Sequence, residues 1–509
     1  MSYVDNRIPP VRETRLKTGI TFGGCAGELL DCSQKGCLIG CDRSFTQTIS
    51  CQLFLALQMV LTIPNAVTIM HGPVGCGAQT HLVDFAGRSA SAQRGIKRGP
   101  LIWTSTNLDE TDVIGGGEKK LHDAILHAER EFAPQVIFVA STCTPNIIGD
   151  DVDEVANSLR NQVHAKIVPL HCPGFKTKIV ASAYDTVYHG LLKYLDLEAK
   201  PYVDFIPLNP YDPNYEIEAK KYEYRKAHTV NLLNASSIGA PDEFELIRLL
   251  KALDLNVNVY TEYTKPDDFR LFTQAALNIS MCNVHDDYLL EYVEEKYGIP
   301  YMIHNMPVGI DNTKQWLLHV AERFGLEERA KAIIEDEEKQ LNVALEPLKK
   351  QIKGKRVLLS GGVIRVASTA MLLDELGLDI ISVRPYHYDN LSDPIYKKFN
   401  ERFPNVSVNV ASNQAFELVN ILKREKPDIC LAHSASNVWI AKTGVASIPL
   451  FSPGANYFGY TGAYELARRI ARAVQNTSLQ KRAAENIKLP FNQSWYEQDP
   501  YHYINQKER

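Results

Sequence analysis

The feature that most constrains the fold is a recurrence of short β-branched runs that end in small or polar residues. They read "QVIFVASTC", "AKIVPLHCPGF", "HTVNLLNASS", "KRVLLSGG", "DIISVRPYH" and "DICLAHSAS", and helix-period segments such as "DEFELIRLLKALDL" and "DYLLEYVEEKYG" lie between them. Strand runs apolar on both faces, alternating with amphipathic helices, specify an α/β fold with mainly parallel sheets flanked by helices. In such sheets ligands collect beyond the carboxyl ends of the strands. This chain places its Cys, His, Ser and Gly at those ends.

A chain of 509 residues exceeds one hydrophobic core, and three Rossmann-like domains are expected. Residues 1–45 read as an irregular N-terminal extension, followed by α/β domains at 46–228, 229–350 and 351–509. The charged stretch "LEERAKAIIEDEEKQLNVALEPLKKQIKGK" reads as a solvated linking helix before the third. With 55 basic and 60 acidic residues the net charge is −5 and no block of like charge stands out. That argues against a nucleic-acid partner. The N-terminus "MSYVDNRIPPVRETRLKTG" lacks the apolar core of a signal peptide, so a cytoplasmic location is expected. The longest apolar stretch, "LFLALQMVLTIP", contains Gln58 and is too short for a membrane span.

"VIGGGEKKL" lacks the spacing and terminal Ser or Thr of a Walker loop, and "LLSGGVIRVAST" fails the same test, so nucleotide hydrolysis by this chain is not expected. The ten cysteines are more informative. In a reducing compartment they are free thiols or metal ligands rather than disulfides. A lone cysteine is ordinarily a small buried hydrophobe. Cys51 ("TISCQLF"), Cys76 ("HGPVGCGA") and Cys143 ("STCTPNIIGDD"), however, each sit where an element gives way to a loop, with Gly, Pro and Ser beside them. Glycines let a backbone approach an anionic cluster and aim amides at its sulfides, and thiolates are the usual ligands of iron–sulfur cores. Three thiolates leave a four-iron cube one ligand short, which calls for a contribution from elsewhere. Cys282 stands at a strand end before a helix. Cys25, Cys32, Cys37 and Cys41 do not match the spacing of paired zinc knuckles, and Cys172 and Cys430 read as core residues. His387 and His433 follow strands and are candidates to face a cleft.

The combination of "HGPVGCG", "STCTPNIIGDD", "HCPGF", "MCNVHDDYLLEYVEEKYGIP" and "GKRVLLSGG" resembles the nitrogenase component-1 family over about residues 45 to 475. The resemblance implies three α/β domains and an α2β2 heterotetramer with a β-type homologous subunit. By position, Cys51, Cys76 and Cys143 match the cysteines one subunit gives to an eight-iron P-cluster at the α–β boundary, and Cys282 matches the anchor of a nitrogenase-type iron–sulfur cofactor. Electrons would come from a separate homodimeric, ATP-hydrolysing iron protein. Departures from the pattern fall on the pocket. The C-terminal "SIPLFSPGANYFGYTGAY" has no histidine to cap a molybdenum or vanadium end, "GFKTKIVASAYD" offers Tyr184 where a histidine is usual, and Asp84 stands near the usual arginine. Retained cluster cysteines with an altered pocket best resemble the α-like subunit of a methylthio-alkane reductase, which cleaves small thioethers. Tyr184, His387 and His433 are then candidate proton donors. A cofactor-assembly scaffold, a β-type partner subunit, to which "TISCQLFLA" is closer, and a dinitrogen-reducing isoenzyme are the alternatives.

Overall fold

The computed structural model describes residues 3–40, 50–96, 102–198, 211–234, 239–303, 306–412, 414–433, 436–452 and 454–501. The chain opens with a short strand, β1 (Phe22–Cys25), whose partner comes much later. Four strands then build a first parallel sheet: β2 (Ala66–His71), β3 (Trp103–Ser105), β4 (Val136–Ser141) and β5 (Lys166–His171), in the order β3-β2-β4-β5. All six residues of β4 are buried, as a central parallel strand covered on both faces requires. Pro169 is tolerated in β5 because that strand is at the sheet edge.

The second sheet has the order β7-β6-β8-β9, from β6 (Thr229–Leu233), β7 (Asn256–Tyr260), β8 (Leu277–Ser280) and β9 (Tyr301–Met302), again all parallel. The third contains β10 (Arg356–Gly361), β11 (Asp379–Pro385), β12 (Ser407–Val410), β13 (Ile429–Ala432) and β14 (Ala446–Pro449). Its order is β1-β12-β11-β10-β13-β14, and only β1 runs antiparallel, pairing Phe22 with Val410 and Cys25 with Ser407. The N-terminal stretch therefore completes the third sheet instead of lying irregularly outside it. In each sheet the run of parallel strands starts near the middle and winds both ways, which opens a crevice at the carboxyl ends of β2, β6 and β10.

One continuous core joins the second and third sheets, including Val230, Leu232 and Ile279 from one and Val357, Leu359 and Leu431 from the other. The helix Glu327–Ile352 is charged on most of its surface but not fully solvated. Ala330, Ile334, Leu341, Leu345 and Ile352 form a buried stripe at helical spacing, and the helix packs on Gly459–Gln475. Among the described residues no helix is long and apolar enough to cross a membrane.

Candidate functional site

Two sites form at the carboxyl ends of the strands. The first gathers three thiols beyond β2, β4 and β5. Cys76 lies in the 3-10 turn Val74–Gln79 after β2, Cys143 opens the helix Cys143–Ile148 after β4, and Cys51 caps the N-terminus of the helix Gln52–Val60. Gly174, after β5, is wedged among them: a Cβ there would stand 2.9 Å from Cys51 Cβ and 3.8 Å from both the Cys51 and Cys143 Sγ atoms. Burial raises the Cys76 thiol, the neighbouring Cys143 and Cys51 raise it further, and the Thr142 hydroxyl opposes them. Thiols that penalise one another's charge ionise readily only when a cation sits among them. Val74, Ile147 and Phe175, close in sequence to the thiols and Gly174, are exposed, as at a protein–protein interface.

The "HGPVGC" and "IGDD" motifs are tied together by His71. Its Nε2 lies 2.9 Å from Asp150 Oδ2 and its Nδ1 lies 3.1 Å from Thr106 Oγ1. Asp150 also accepts the Gly117 N–H at 2.9 Å. Burial lowers the His71 pKa despite Asp150, so the ring is neutral, donating from Nε2 and accepting at Nδ1. Gly72, at φ 155°, passes so close to Thr142 that a Cβ would overlap its hydroxyl. The loops carrying Cys76 and Cys143 are thus locked to each other.

The second site is a cavity of about 350 Å³ beyond the second and third sheets. The sequence-derived candidates Tyr184, Cys282, His387 and His433 all line it. Cys282 follows β8 and is 4% exposed; burial pushes its thiol up to about 11, against the pull of Arg365 and the Val284 N–H. Its own N–H donates to Ser280 Oγ, which donates in turn to Asp286. Tyr184 stacks on His285 with ring centroids 3.9 Å apart, and Asn234 Nδ2 donates to His285 Nδ1. Burial lowers His387 to about 3 and His433 to about 4, so both imidazoles are neutral at physiological pH. Among the described residues the buried His387 Nε2 has no hydrogen-bond partner. No carboxylate lines the cavity among the described residues, and Arg365 is its cation, lying over the Phe451 ring.

Residues 51–475 match the sequence profile described as "Nitrogenase component 1 type Oxidoreductase". The chain belongs to that family. Among its relatives are the "Nitrogenase molybdenum-iron protein alpha chain" of Methanothermobacter marburgensis and the "Nitrogenase iron-molybdenum cofactor biosynthesis protein NifE" of Methanococcus maripaludis. The first is 28% identical over 425 residues, covering 81% of this chain and 84% of that protein. The second is 28% identical over 450 residues, covering 85% and 86%. The solved structure "Nitrogenase Cp1 at pH 5" superposes with a TM-score of 0.69 at 21% identity, covering 88% of this chain and 92% of that one, which shows the shared fold.

For a family whose members carry iron–sulfur clusters, the residues present fit. Three thiols border a space that Gly174 leaves open, and the thiolates of such a cluster are spread over several irons, so they need not converge on one ion. Among the described residues there is indeed no group of three His, Cys, Asp or Glu set for a single metal ion. The cavity offers one thiol, an unpartnered imidazole nitrogen, a guanidinium and the N-terminus of the helix Val363–Glu375, a set suited to an anionic sulfide-rich guest. Arg365, His285 and Tyr386 were not singled out from sequence. The signal for Arg365 was there, in a glycine pair that ends a strand and opens a helix in "LLSGGVIR".

Other sequence candidates lie elsewhere. Asp84 accepts from Arg88 one helical turn on and is not among the lining residues. Phe458, in the C-terminal Gly-aromatic stretch, is buried with its N–H on Asp242. Cys172 and Cys430 are buried in the core. Cys25 caps the helix Ala26–Gln34, and Cys32 contacts Cys37. Cys41 lies outside the described residues.

Proposed function

We propose that this chain is the α-type catalytic subunit of a nitrogenase-like reductase that cleaves the C–S bond of small thioethers, a methylthio-alkane reductase. The observation that carries the reading is that one helix serves both sites. Gln52–Val60 has Cys51 at its N-terminus in the thiol group, and Ser50, Phe54, Leu55 and Gln58 lie on the cavity wall. A cluster received at the first site is thereby coupled to a guest in the second. Cys51, Cys76 and Cys143 would hold a P-cluster shared with a β-type subunit in an α2β2 heterotetramer, and Cys282 would anchor the catalytic cofactor. Electrons would arrive from the homodimeric, ATP-hydrolysing iron protein.

When bound, the iron–sulfur cofactor would supply the metal centre at which those low-potential electrons are used. The chain's own groups bind, shield and deliver protons. Arg365 and the amides after Gly362 offset the guest's negative charge. Phe54, Leu55, Ile179, Val363 and Phe451 exclude water and leave an apolar surface for a thioether. Cleavage of R–S–CH3 takes two electrons and two protons and yields RH and CH3SH. Tyr184 Oη and the imidazoles of His387 and His433, kept neutral by burial, would relay the two protons, each taking one up as it releases another, so that the protons come ultimately from solvent. The absence of a histidine in "SPGANYFGYTGAY", where Phe458 turns into the core, supports a cofactor without histidine-capped molybdenum or vanadium.

The test uses the anaerobic complex with iron protein, ATP and a reductant. Methane from dimethyl sulfide, or ethane from ethyl methyl sulfide, formed only with ATP and by protein holding iron but neither molybdenum nor vanadium, is the expected result. Equal resemblance to the cofactor biosynthesis protein NifE favours one second reading, an assembly scaffold. Bound iron without turnover of thioethers, dinitrogen or acetylene would select it.

A further inference from the structure

The N-terminal turn Arg12–Arg15, of sequence Arg-Glu-Thr-Arg, lies outside the cavity, yet each of its charged side chains holds a wall segment. Arg12 is fully buried. Its Nη1 lies 2.5 Å from Asp287 Oδ1 and 3.6 Å from Asp185 Oδ1, and its Nη2 lies 3.4 Å from Asp389 Oδ2. Arg15 Nη2 reaches Asp185 at 2.9 Å and Asp287 at 2.7 Å. Glu13 accepts the Lys178 and Ile179 N–H groups and the Ser182 hydroxyl.

The three carboxylates belong to three of the segments that build the cavity. Asp185 follows Tyr184 directly, Asp287 opens the helix after Cys282 and His285, and Asp389 is two residues beyond His387. The segment gripped by Glu13 contributes Ile179, Val180 and Ala181 to the lining. Buried carboxylates brought together repel and separate unless a counter-charge is present. Burial alone would weaken the Arg12 guanidinium's hold on its proton, but Asp287, Asp389 and Asp185 outweigh it and the group stays charged.

We propose that the turn Arg12–Arg15 is the positioning element of the cavity, clamping the segments that carry Tyr184, Cys282 and His387 into the shape that receives the cofactor. The clamping stands on the contacts alone, whereas the receiving of a cofactor rests on the function proposed above.

The test keeps these two parts separate. In the full chain produced without cofactor, iodoacetamide alkylation of Cys282 is followed by mass spectrometry in Arg12→Met, Arg12→Lys and Glu13→Gln. The control is Arg94→Met, which breaks the similarly buried Arg94–Glu243 pair away from the cavity. Labelling about tenfold faster in Arg12→Met, about threefold faster in Glu13→Gln, largely restored in Arg12→Lys and unchanged in Arg94→Met is expected. If Arg12→Met does not fold, Glu13→Gln decides the matter. Parental labelling in Arg12→Met or, where that variant does not fold, in Glu13→Gln, or equal acceleration in Arg94→Met, overturns the proposal. In the holo complex, Arg12→Met should lose or reshape the cofactor's paramagnetic signal and spare that of the three-thiol cluster, with Arg12→Lys restoring it. Faster labelling with an unchanged cofactor signal would leave the clamp standing and remove the cofactor from the cavity.

Discussion

Gly174→Ala isolates the role of the thiol site with a single methyl group. Gly174 is not among the residues with positive φ, so alanine is free of backbone strain there. Its Cβ would approach Cys51 Cβ to 2.9 Å, against a carbon–carbon optimum of about 3.5–4.0 Å. Overpacking of this kind costs about 1–3 kcal/mol, which a domain of about 5–15 kcal/mol survives. The same methyl would lie 3.8 Å from both the Cys51 and Cys143 sulfurs. A metal–thiolate bond is about 2.3 Å long, so a cluster atom bound on that side would collide with it. If the strain falls on the cluster-bound form alone, affinity drops about tenfold for each 1.4 kcal/mol, or about 10- to 100-fold overall. Iron and sulfide analysis with paramagnetic resonance of the anaerobic complex reads the loss, and a thermal melt confirms the fold. Gly190→Ala is the matched control. Its Cβ would meet Leu170 at 2.7 Å and Val168 at 3.0 Å, with no thiol among its nearest neighbours. Full cluster content in Gly174→Ala, or equal loss in Gly190→Ala, would refute the reasoning.

Three further outcomes follow from the same geometry. Cys76→Ala should remove the signal of the three-thiol cluster while sparing that of the cofactor, and Cys282→Ala should do the reverse; full iron and activity in both would sink the ligand assignments. Gly462→Ala would drive a Cβ into the Tyr457 carbonyl, and with backbone on both sides a loss above about 3 kcal/mol is expected in denaturant titrations. Burial holds His387 at about 3 in the folded chain against about 6.5 unfolded, so below pH 6.5 only the unfolded state takes up its proton. His387 therefore removes about 1.4 kcal/mol per pH unit as pH falls from about 6 toward 3. Burial raises Asp286 to about 7, and that group acts with the opposite sign. The test is accordingly the difference between the cofactor-free parent and His387→Gln, whose urea stability should fall less steeply between pH 6.5 and 5.

The strands were legible because fully buried parallel strands leave continuous β-branched runs. "QVIFVAS" became β4 and "DIISVRP" became β11 with both faces covered. Cys143 and Cys282 were legible for the same reason, since a cysteine just past such a run must lie at the carboxyl edge, whereas Cys51 opens a helix and no strand run precedes it directly. What escaped was long-range. Strand β1 is four residues of Phe-Gly-Gly-Cys that pair only with a strand near residue 408, and no local periodicity marks it. Arg12 meets Asp287 and Asp389 across 275 and 377 residues, so "RETR" reads as one more charged loop. The Tyr184–His285 stack joins segments from different sheets. Tyr184 stood out by its place after "GF", while its partner sat unremarked three residues beyond Cys282.

The helix Gln52–Val60 constrains what the two sites do together. At a rise of 1.5 Å per residue, Cys51 at its N-terminus and Gln58 on the cavity wall are about 10 Å apart along the axis. The segment from Cys172 to Tyr184 makes the same passage on another side, from Gly174 among the thiols to Ile179, Val180 and Tyr184 in the cavity. A protein that only shelters a cluster for transfer needs a chamber and an entrance. The proposed reductase also uses the second, half-exposed thiol group, linked to the chamber by two separate pieces of backbone. A reductase needs that link, because an electron delivered at the surface must reach a guest from which water is excluded. The His71–Asp150 lock fixes the thiol loops relative to the first sheet, and Arg12 fixes the chamber walls relative to all three sheets. The spacing between the sites is therefore built in before either is filled, as the electron transfer proposed above requires.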